Sequence, residues 1–105
     1  MDCGYSIVVT TVDTEANALR IVEHVLDRRL AACAQLATIT SHYVWEGARQ
    51  SEAEIEIKLK IKTSDYEALE QTIRAVHSYK VPQIVRIPIM EGSADYLNWI
   101  SSVTV

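Results

Sequence analysis

The 105-residue sequence has few residues that break regular structure and few that cross-link a chain. It contains 3 Gly, 2 Pro, 2 Cys and no Phe. So few Gly and Pro residues leave little room for long loops or linkers, and no segment repeats at a fixed period. Cys3 and Cys33 lie far apart and outside any CxxC motif, which argues against a disulfide framework, a zinc ribbon or a thioredoxin-type motif. We therefore expect one domain spanning residues 1–105, with reduced thiols.

The sequence also lacks the features that direct a chain to membranes or nucleic acids. No apolar run approaches the roughly 18 residues that a membrane span needs, and the first residues have neither a basic start nor the apolar core of a signal peptide. The formal net charge is −4, without a run of Lys or Arg that would neutralise phosphates. We therefore predict a cytoplasmic protein without a membrane or nucleic-acid partner.

Hydrophobic periodicity predicts a βαββαβ order with one further helix. The predicted elements are a strand at 5–12, a helix from an N-cap at 13–15 to about Ala31, a hairpin of 33–46 and 51–62, a helix from a capping box at 64–67 to about His77, a strand at 84–90 and a helix capped by Ser93. Pro88 indicates that the last strand lies at an edge or strand end, because proline cannot donate to a ladder. The order indicates an α+β fold, a ferredoxin-like sandwich with its helices on one face of an antiparallel sheet.

The segment from Glu52 to Lys62 has the clearest strand pattern. Every even position is charged and every odd one is apolar over eleven residues. Strands average about five to six residues, so we expect one of this length to project beyond so small a domain. Its charged face is either solvated or paired with another subunit.

Aromatic residues near the hairpin turn predict an association surface. Matching apolar residues across the hairpin predicts paired residue numbers with an even sum, about 96, and a turn near Ala48. His42 then faces Glu54, while Tyr43 and Trp45 lie on the inward face beyond the chain's own helices. Uncovered aromatic residues are typical of an association site, so we expect Tyr43 and Trp45 in a subunit interface. The alternative is that both fold back under a loop.

No residue pattern predicts catalysis. The sequence has no local signature that places a Cys or Ser beside a His, so we expect no enzymatic activity. The three histidines are too dispersed for the i, i+4 spacing that directs two imidazoles to one metal ion. His24 is expected on the solvated surface. His77 closes a helix, where it either caps the helix end or binds a metal ion.

Five segments together resemble the CutA divalent-cation tolerance proteins. They are 30–34 (LAACA), 43–47 (YVWEG), 61–63 (IKT), 77–82 (HSYKVP) and 95–99 (DYLNW). They cover nearly the whole chain in the family's order and with similar spacing. The resemblance implies a ferredoxin-like protomer in a homotrimer, with long hairpin strands that complete sheets between subunits. It also implies a role in tolerance to copper and other divalent cations.

The resemblance further implies a metal site. Some bacterial members resemble copper binders that use a cysteine near the end of the first strand and two adjacent histidines before the following loop. By position, the cysteine falls at Thr10 and the histidines at Val76 and His77. Only His77 is a metal ligand by type, so we expect at most weak binding of copper or another divalent cation.

The resemblance also implies a cleft at the loop after the second helix, with Tyr79, Lys80 and Pro82 among its residues. Ser78, Lys80 and Gln83 replace a proline and two acids of the family pattern. Losing two carboxylates and gaining a lysine favours anions over hard cations. The alternative function is that of a trimeric signalling or regulatory protein of the nitrogen-regulatory type, which binds small anions in clefts between subunits.

Overall fold

The computed structural model describes residues 3–105, and within them the chain forms four strands and three α-helices. In chain order these are β1 (Tyr5–Val12), α1 (Glu15–Asp27), β2 (Cys33–Trp45), β3 (Ala48–Lys62), α2 (Tyr66–Val76), β4 (Ile84–Ile89) and α3 (Ala94–Val103), with a 3-10 turn at Thr63–Asp65. This order confirms the predicted α+β fold. None of the helices in the described range is long and apolar enough to cross a membrane.

The strands form one antiparallel sheet in the order β2-β3-β1-β4. The β-branched strand β1 is central: Val12 lies opposite Ile55 of β3, and Thr10 lies opposite Ile84 of β4. β4 is an edge strand, as Pro88 predicted, because a missing backbone N–H is tolerated there.

The hydrophobic core lies between the sheet and the helices α1 and α2. Its fully buried residues are Val8, Val12, Ala18, Ile21, Val25, Ile57, Leu59, Ile61, Leu69 and Ile73. Thr14 caps α1 as predicted, with its hydroxyl accepting from the Asn17 N–H at 3.1 Å. The helix ends at Asp27 rather than near Ala31, because Arg29 adopts a left-handed conformation with φ of 57°.

Helix α3 lies on the other face of the sheet. Val8 and Leu59 face the core. Because side chains alternate between the two faces of a strand, Tyr5 in β1 and Lys60 in β3 lie on the opposite face of the sheet. The Tyr5 hydroxyl is 2.5 Å from Ser101 Oγ, and Lys60 Nζ is 5.9 Å from the ring centroid of Tyr96. The two helices of the βαββαβ unit, α1 and α2, therefore share one face as predicted, and the additional C-terminal helix lies on the other.

The predicted capping box at 64–67 does not form. Residues 63–65 make a 3-10 turn instead, and the N-cap of α2 is Asp65, whose side chain makes no capping hydrogen bond. The turn is tied to β1, because the hydroxyls of Thr63 and Ser6 are 2.7 Å apart. Oδ2 of Asp65 is buried and has no hydrogen-bond partner among residues 3–105, and burial raises the pKa of this carboxyl.

The β2–β3 hairpin has a different register from the predicted one. Trp45 lies opposite Ala48, which gives an odd sum, and His42 faces Ser51 rather than Glu54. The cause is the turn, which contains only two residues. Glu46 and Gly47 both have positive φ, 50° and 79°, as in the tight turns that match the twist of a hairpin.

This register changes the face on which the tip aromatics lie. Directly opposed residues share a face. Tyr43 lies opposite Gln50, on the same face as the charged residues of β3, so the prediction that Tyr43 and Trp45 face inward with Ile57 is wrong. The two side chains are exposed, at 38% and 44% of their surface.

The hairpin projects from the sheet, as the length of β3 predicted. Residues 55–62 of β3 pair with β1, whereas 48–54 pair only with β2 in the described chain. We call residues 39–54 the projecting hairpin. The chain is correspondingly elongated, with principal extents of 44 × 28 × 22 Å.

Candidate functional site

Three consecutive residues after α2 bind three different parts of the fold. His77 contacts the end of β1, Ser78 contacts Asp13 in the turn before α1, and Tyr79 contacts Glu54 of β3. The loop therefore closes one end of the sheet, where β1 ends and β4 begins.

The hydrogen bonds of His77 define its tautomer. Nδ1 accepts from the backbone N–H of Tyr79 at 3.0 Å. Nε2 lies 3.0 Å from the carbonyl oxygen of Thr11 and 3.2 Å from Oγ1 of Thr10. Because a backbone N–H only donates and a carbonyl oxygen only accepts, the proton of the neutral ring is on Nε2. The imidazole thus joins β1 to the loop through both of its nitrogens.

Burial favours the neutral form of the His77 ring. Desolvation lowers the pKa of His77, against the opposing effects of the hydrogen bond to the Thr11 carbonyl and the charges of Asp13 and Glu54. The neutral ring is the form in which Nδ1 accepts the Tyr79 N–H. The hydrogen-bond geometry and the pKa therefore agree.

Asp13 holds the middle of the loop. Its Oδ1 accepts from Ser78 Oγ at 3.1 Å and from Asn17 Nδ2 at 2.8 Å. The hydrogen bond from Asn17 is the largest of the effects that lower the pKa of Asp13. The carboxylate therefore connects the first turn of α1 to the loop.

Tyr79 and Glu54 form the contact that reaches furthest across the site. The Tyr79 hydroxyl donates to Oε2 of Glu54 at 2.5 Å, and Glu54 is only 7% exposed. Burial, followed by the hydrogen bond to Glu54, raises the pKa of Tyr79, so the phenol is protonated and donates. The Tyr79 ring also packs on His77, with ring centroids 5.1 Å apart.

The other residues predicted from the sequence lie outside this network. Lys80 is exposed and Pro82 is half-buried in the same loop. Tyr43 and Trp45 lie at the tip of the projecting hairpin, whereas Glu54 lies at its base. The structure therefore brings together Thr10, His77 and Tyr79, and it separates them from the tip aromatics.

Sequence reasoning missed Glu54 as a partner of the loop. Glu52 and Glu56 have the same alternating pattern, so no local signal distinguishes Glu54 from them. Its position is special only because β1 ends at Val12, opposite Ile55. Glu54 can be identified only from the register between β1 and β3, which the sequence alone does not supply.

The donor set at His77 does not fit a copper ion. Both ring nitrogens are engaged in hydrogen bonds within the chain. Thr10 offers a neutral hydroxyl in place of a thiolate, and Val76 has no donor atom. In residues 3–105, no group of three His, Cys, Asp or Glu side chains is arranged to hold a metal ion.

Comparison with known proteins places the chain among proteins named for divalent-cation tolerance. Residues 6–103 match the family model described as CutA1 divalent ion tolerance protein. The divalent-cation tolerance protein CutA of Thermus thermophilus is 35% identical over 99 residues, which cover 93% of this chain and 96% of that protein.

Solved structures agree with the sequence match. CutA1 from Pyrococcus horikoshii superposes with a TM-score of 0.92 at 34% identity, covering 95% of this chain and 98% of that one. A protein from Archaeoglobus fulgidus, described as the periplasmic divalent cation tolerance protein CutA, gives a TM-score of 0.92 at 29% identity, covering 94% and 97%. The likeness therefore extends over nearly the full length of each chain.

Proposed function

Because the chain belongs to the CutA1 divalent ion tolerance family, we propose that it acts in tolerance to divalent cations as a homotrimer without enzymatic activity. The observation that carries this proposal is the family match over residues 6–103, which includes both the projecting hairpin and the loop at 77–82. Relatives that match over nearly the same length are named for divalent-cation tolerance.

The projecting hairpin supports the homotrimer. Residues 48–54 of β3 pair with β2 alone in the described chain, which leaves one side of this strand segment open to a neighbouring strand. The exposed side chains of Tyr43 and Trp45 lie at the same end. Aromatic residues at an uncovered tip gain most from burial against another subunit.

Metal binding at His77 is proposed to be weak. A metal ion there would have to displace the hydrogen bond between Nδ1 and the Tyr79 N–H, and no second strong ligand stands at Thr10 or Val76. We therefore propose that copper or another divalent cation binds weakly and is not a resident cofactor. The alternative of a small-anion regulator is not favoured, because the relatives are named for cation tolerance.

We also propose a cytoplasmic location. Cys3 and Cys33 are both free thiols, as is usual in a reducing compartment. The Archaeoglobus protein is described as periplasmic, so the two locations are to be distinguished directly. Fractionation of cells, with immunodetection of the chain in the cytoplasmic and extracytoplasmic fractions, makes that distinction.

Deletion of the gene in its host tests the proposed function. The deletion strain is expected to stop growing at a lower concentration of Cu²⁺, Zn²⁺ or Co²⁺ than the parent strain, and the wild-type gene is expected to restore growth. Complementation with Trp45→Ala, beside Trp99→Ala as a matched control, tests whether the assembled form is the active one. Equal metal sensitivity of the parent and deletion strains would contradict the proposal.

A further inference from the structure

We propose that residues 77–79 form a strap that binds the base of the projecting hairpin to the body of the fold, so that the loop and the hairpin open together. All the contacts of this strap lie within one chain, and none of them involves a metal ion. It rests on where the three side chains of the strap are anchored.

Two of the anchors fix the strap to the body of the fold. Nε2 of His77 forms hydrogen bonds with Oγ1 of Thr10 and the carbonyl oxygen of Thr11, at the end of the central strand. Ser78 binds Asp13 in the turn that follows the same strand. Because β1 is paired on both sides, these anchors do not move independently of the sheet.

The third anchor lies on the projecting hairpin. The ladder between β1 and β3 ends at the pair Val12 and Ile55, and Glu54 is the next residue of β3 beyond that ladder. The Tyr79 hydroxyl binds Glu54 at this point, at 2.5 Å. This hydrogen bond therefore holds β3 to the rest of the fold one residue beyond its last backbone pair with β1.

The Glu54 carboxylate makes this attachment strong. Only 7% of the Glu54 residue is exposed, so water is poorly placed to replace the Tyr79 hydroxyl as hydrogen-bond donor when that hydroxyl is lost. The hairpin cannot swing away from the body without breaking this contact. Conversely, the loop cannot open without releasing Glu54.

Hydrogen exchange measured by mass spectrometry on the intact protein tests the strap. In Tyr79→Phe, peptides from the loop at 77–83 and from the hairpin at 39–54 are both expected to exchange roughly tenfold to a hundredfold faster, as for the loss of one hydrogen bond to a charged group. Tyr66→Phe is the matched control, because the Tyr66 hydroxyl donates to Glu70 at 2.7 Å within α2. It is expected to leave both segments unchanged.

A double-mutant cycle separates the strap from general destabilisation. If Tyr79 and Glu54 act through each other, then Tyr79→Phe combined with Glu54→Ala accelerates exchange of the hairpin no more than either variant alone. Glu54→Gln keeps an acceptor oxygen for the phenol and is expected to have a smaller effect than Glu54→Ala. Faster exchange of the loop alone, or additive effects of the two substitutions, would overturn the proposal.

Discussion

The Thr10 hydroxyl and the Thr11 carbonyl share one N–H of His77, at 3.2 and 3.0 Å from Nε2. Since Nδ1 accepts from the backbone of Tyr79, the ring has no free lone pair. His77 is therefore a structural connection between β1 and the loop.

Copper binding is expected to be weak for this reason. Isothermal titration with Cu(II) and Cu(I) should give a Kd in the micromolar range or weaker, about 8 kcal/mol of binding free energy at 1 μM. The double variant Thr10→Cys, Val76→His adds the two ligands that the chain lacks and is expected to bind copper more tightly. Nanomolar, stoichiometric binding to the unmodified protein would contradict this account of the site.

The protein is expected to sediment as a trimer. A monomer of 105 residues buries only about 65% of the surface that its unfolded chain exposes, so burial between subunits would add to its stability. Sedimentation equilibrium at micromolar concentration should report about three times the chain mass of 11.8 kDa. A single species at the chain mass would refute the prediction.

Trp45→Ala is expected to weaken assembly more than Trp99→Ala. The two side chains are similarly exposed in the protomer, at 44% and 41%, but Trp99 packs on Tyr96 of its own helix with ring centroids 5.7 Å apart. Truncation of a fully buried Trp costs about 3–5 kcal/mol, and only Trp45 is expected to approach that value in the assembly. Dissociation midpoints from dilution series of both variants compare them; dissociation of Trp99→Ala at the higher concentration would place the interface elsewhere.

The hairpin turn should respond to substitutions at its two residues in opposite directions. Gly47→Ala is expected to destabilise the fold by about 1–2 kcal/mol because φ is 79°, although no atom of the described residues lies within 4 Å of an added Cβ. Glu46→Asn is expected to stabilise it by a few tenths to about 1 kcal/mol, since Asn tolerates the positive φ of this position. Denaturant unfolding measures both, with Glu91→Asn as an exposed control outside the turn.

Asp65→Asn is expected to stabilise the protein at neutral pH. Burial raises the folded-state pKa of Asp65 above its ordinary value of 3.8, so the folded state binds the proton more tightly than the unfolded chain does. The resulting stability is present below pH 3.8 and is lost as the pH rises through the raised pKa. At pH 7 the buried carboxylate is charged, and its Oδ2 has no hydrogen-bond partner in the part of the chain that the structure describes, so removal of the charge is expected to gain about 1 kcal/mol.

Denaturant unfolding at pH 7 and pH 3 checks this assignment. The difference between Asp65→Asn and the wild type should shrink towards zero at the lower pH, where the carboxyl is protonated in both states. Glu67→Gln, in the exposed first turn of the same helix, is the control. A stabilisation that is equal at both pH values would mean that the charge of Asp65 is not its cause.

The sequence predicted β3 well because the alternation of charged and apolar residues lies within that single strand. It did not predict which residues pair across the hairpin. Whether the numbers of two paired residues have an odd or an even sum depends on the number of residues in the turn. Glu46 gave no signal for a positive φ, since Asn, Asp and Gly are the usual residues there. The apolar character of Tyr43 and Trp45 then favoured the wrong face.

The residues of the site were predicted only in part. Family resemblance indicated His77 as a metal ligand and Tyr79 as a residue of the loop, and the structure places both in the hydrogen-bond network at the end of β1. Their partners Thr11 and Glu54 are 66 and 25 residues away in the chain. Contacts at such separation depend on which strands are neighbours and in what register, and local patterns do not carry that information.

The central position of β1 has a consequence for the order in which the fold can be acquired. β1 precedes both of its partners, β3 and β4, in the chain, and the pairs that join it to β4 extend to Ile89. The β2–β3 hairpin, in contrast, has only a two-residue turn and can close within microseconds. β4 is the last of the four strands to be synthesised, so β1 can pair with β3 well before its second neighbour, residues 84–89, has left the ribosome. One edge of this apolar strand therefore stays unpaired until almost all of the chain has been made.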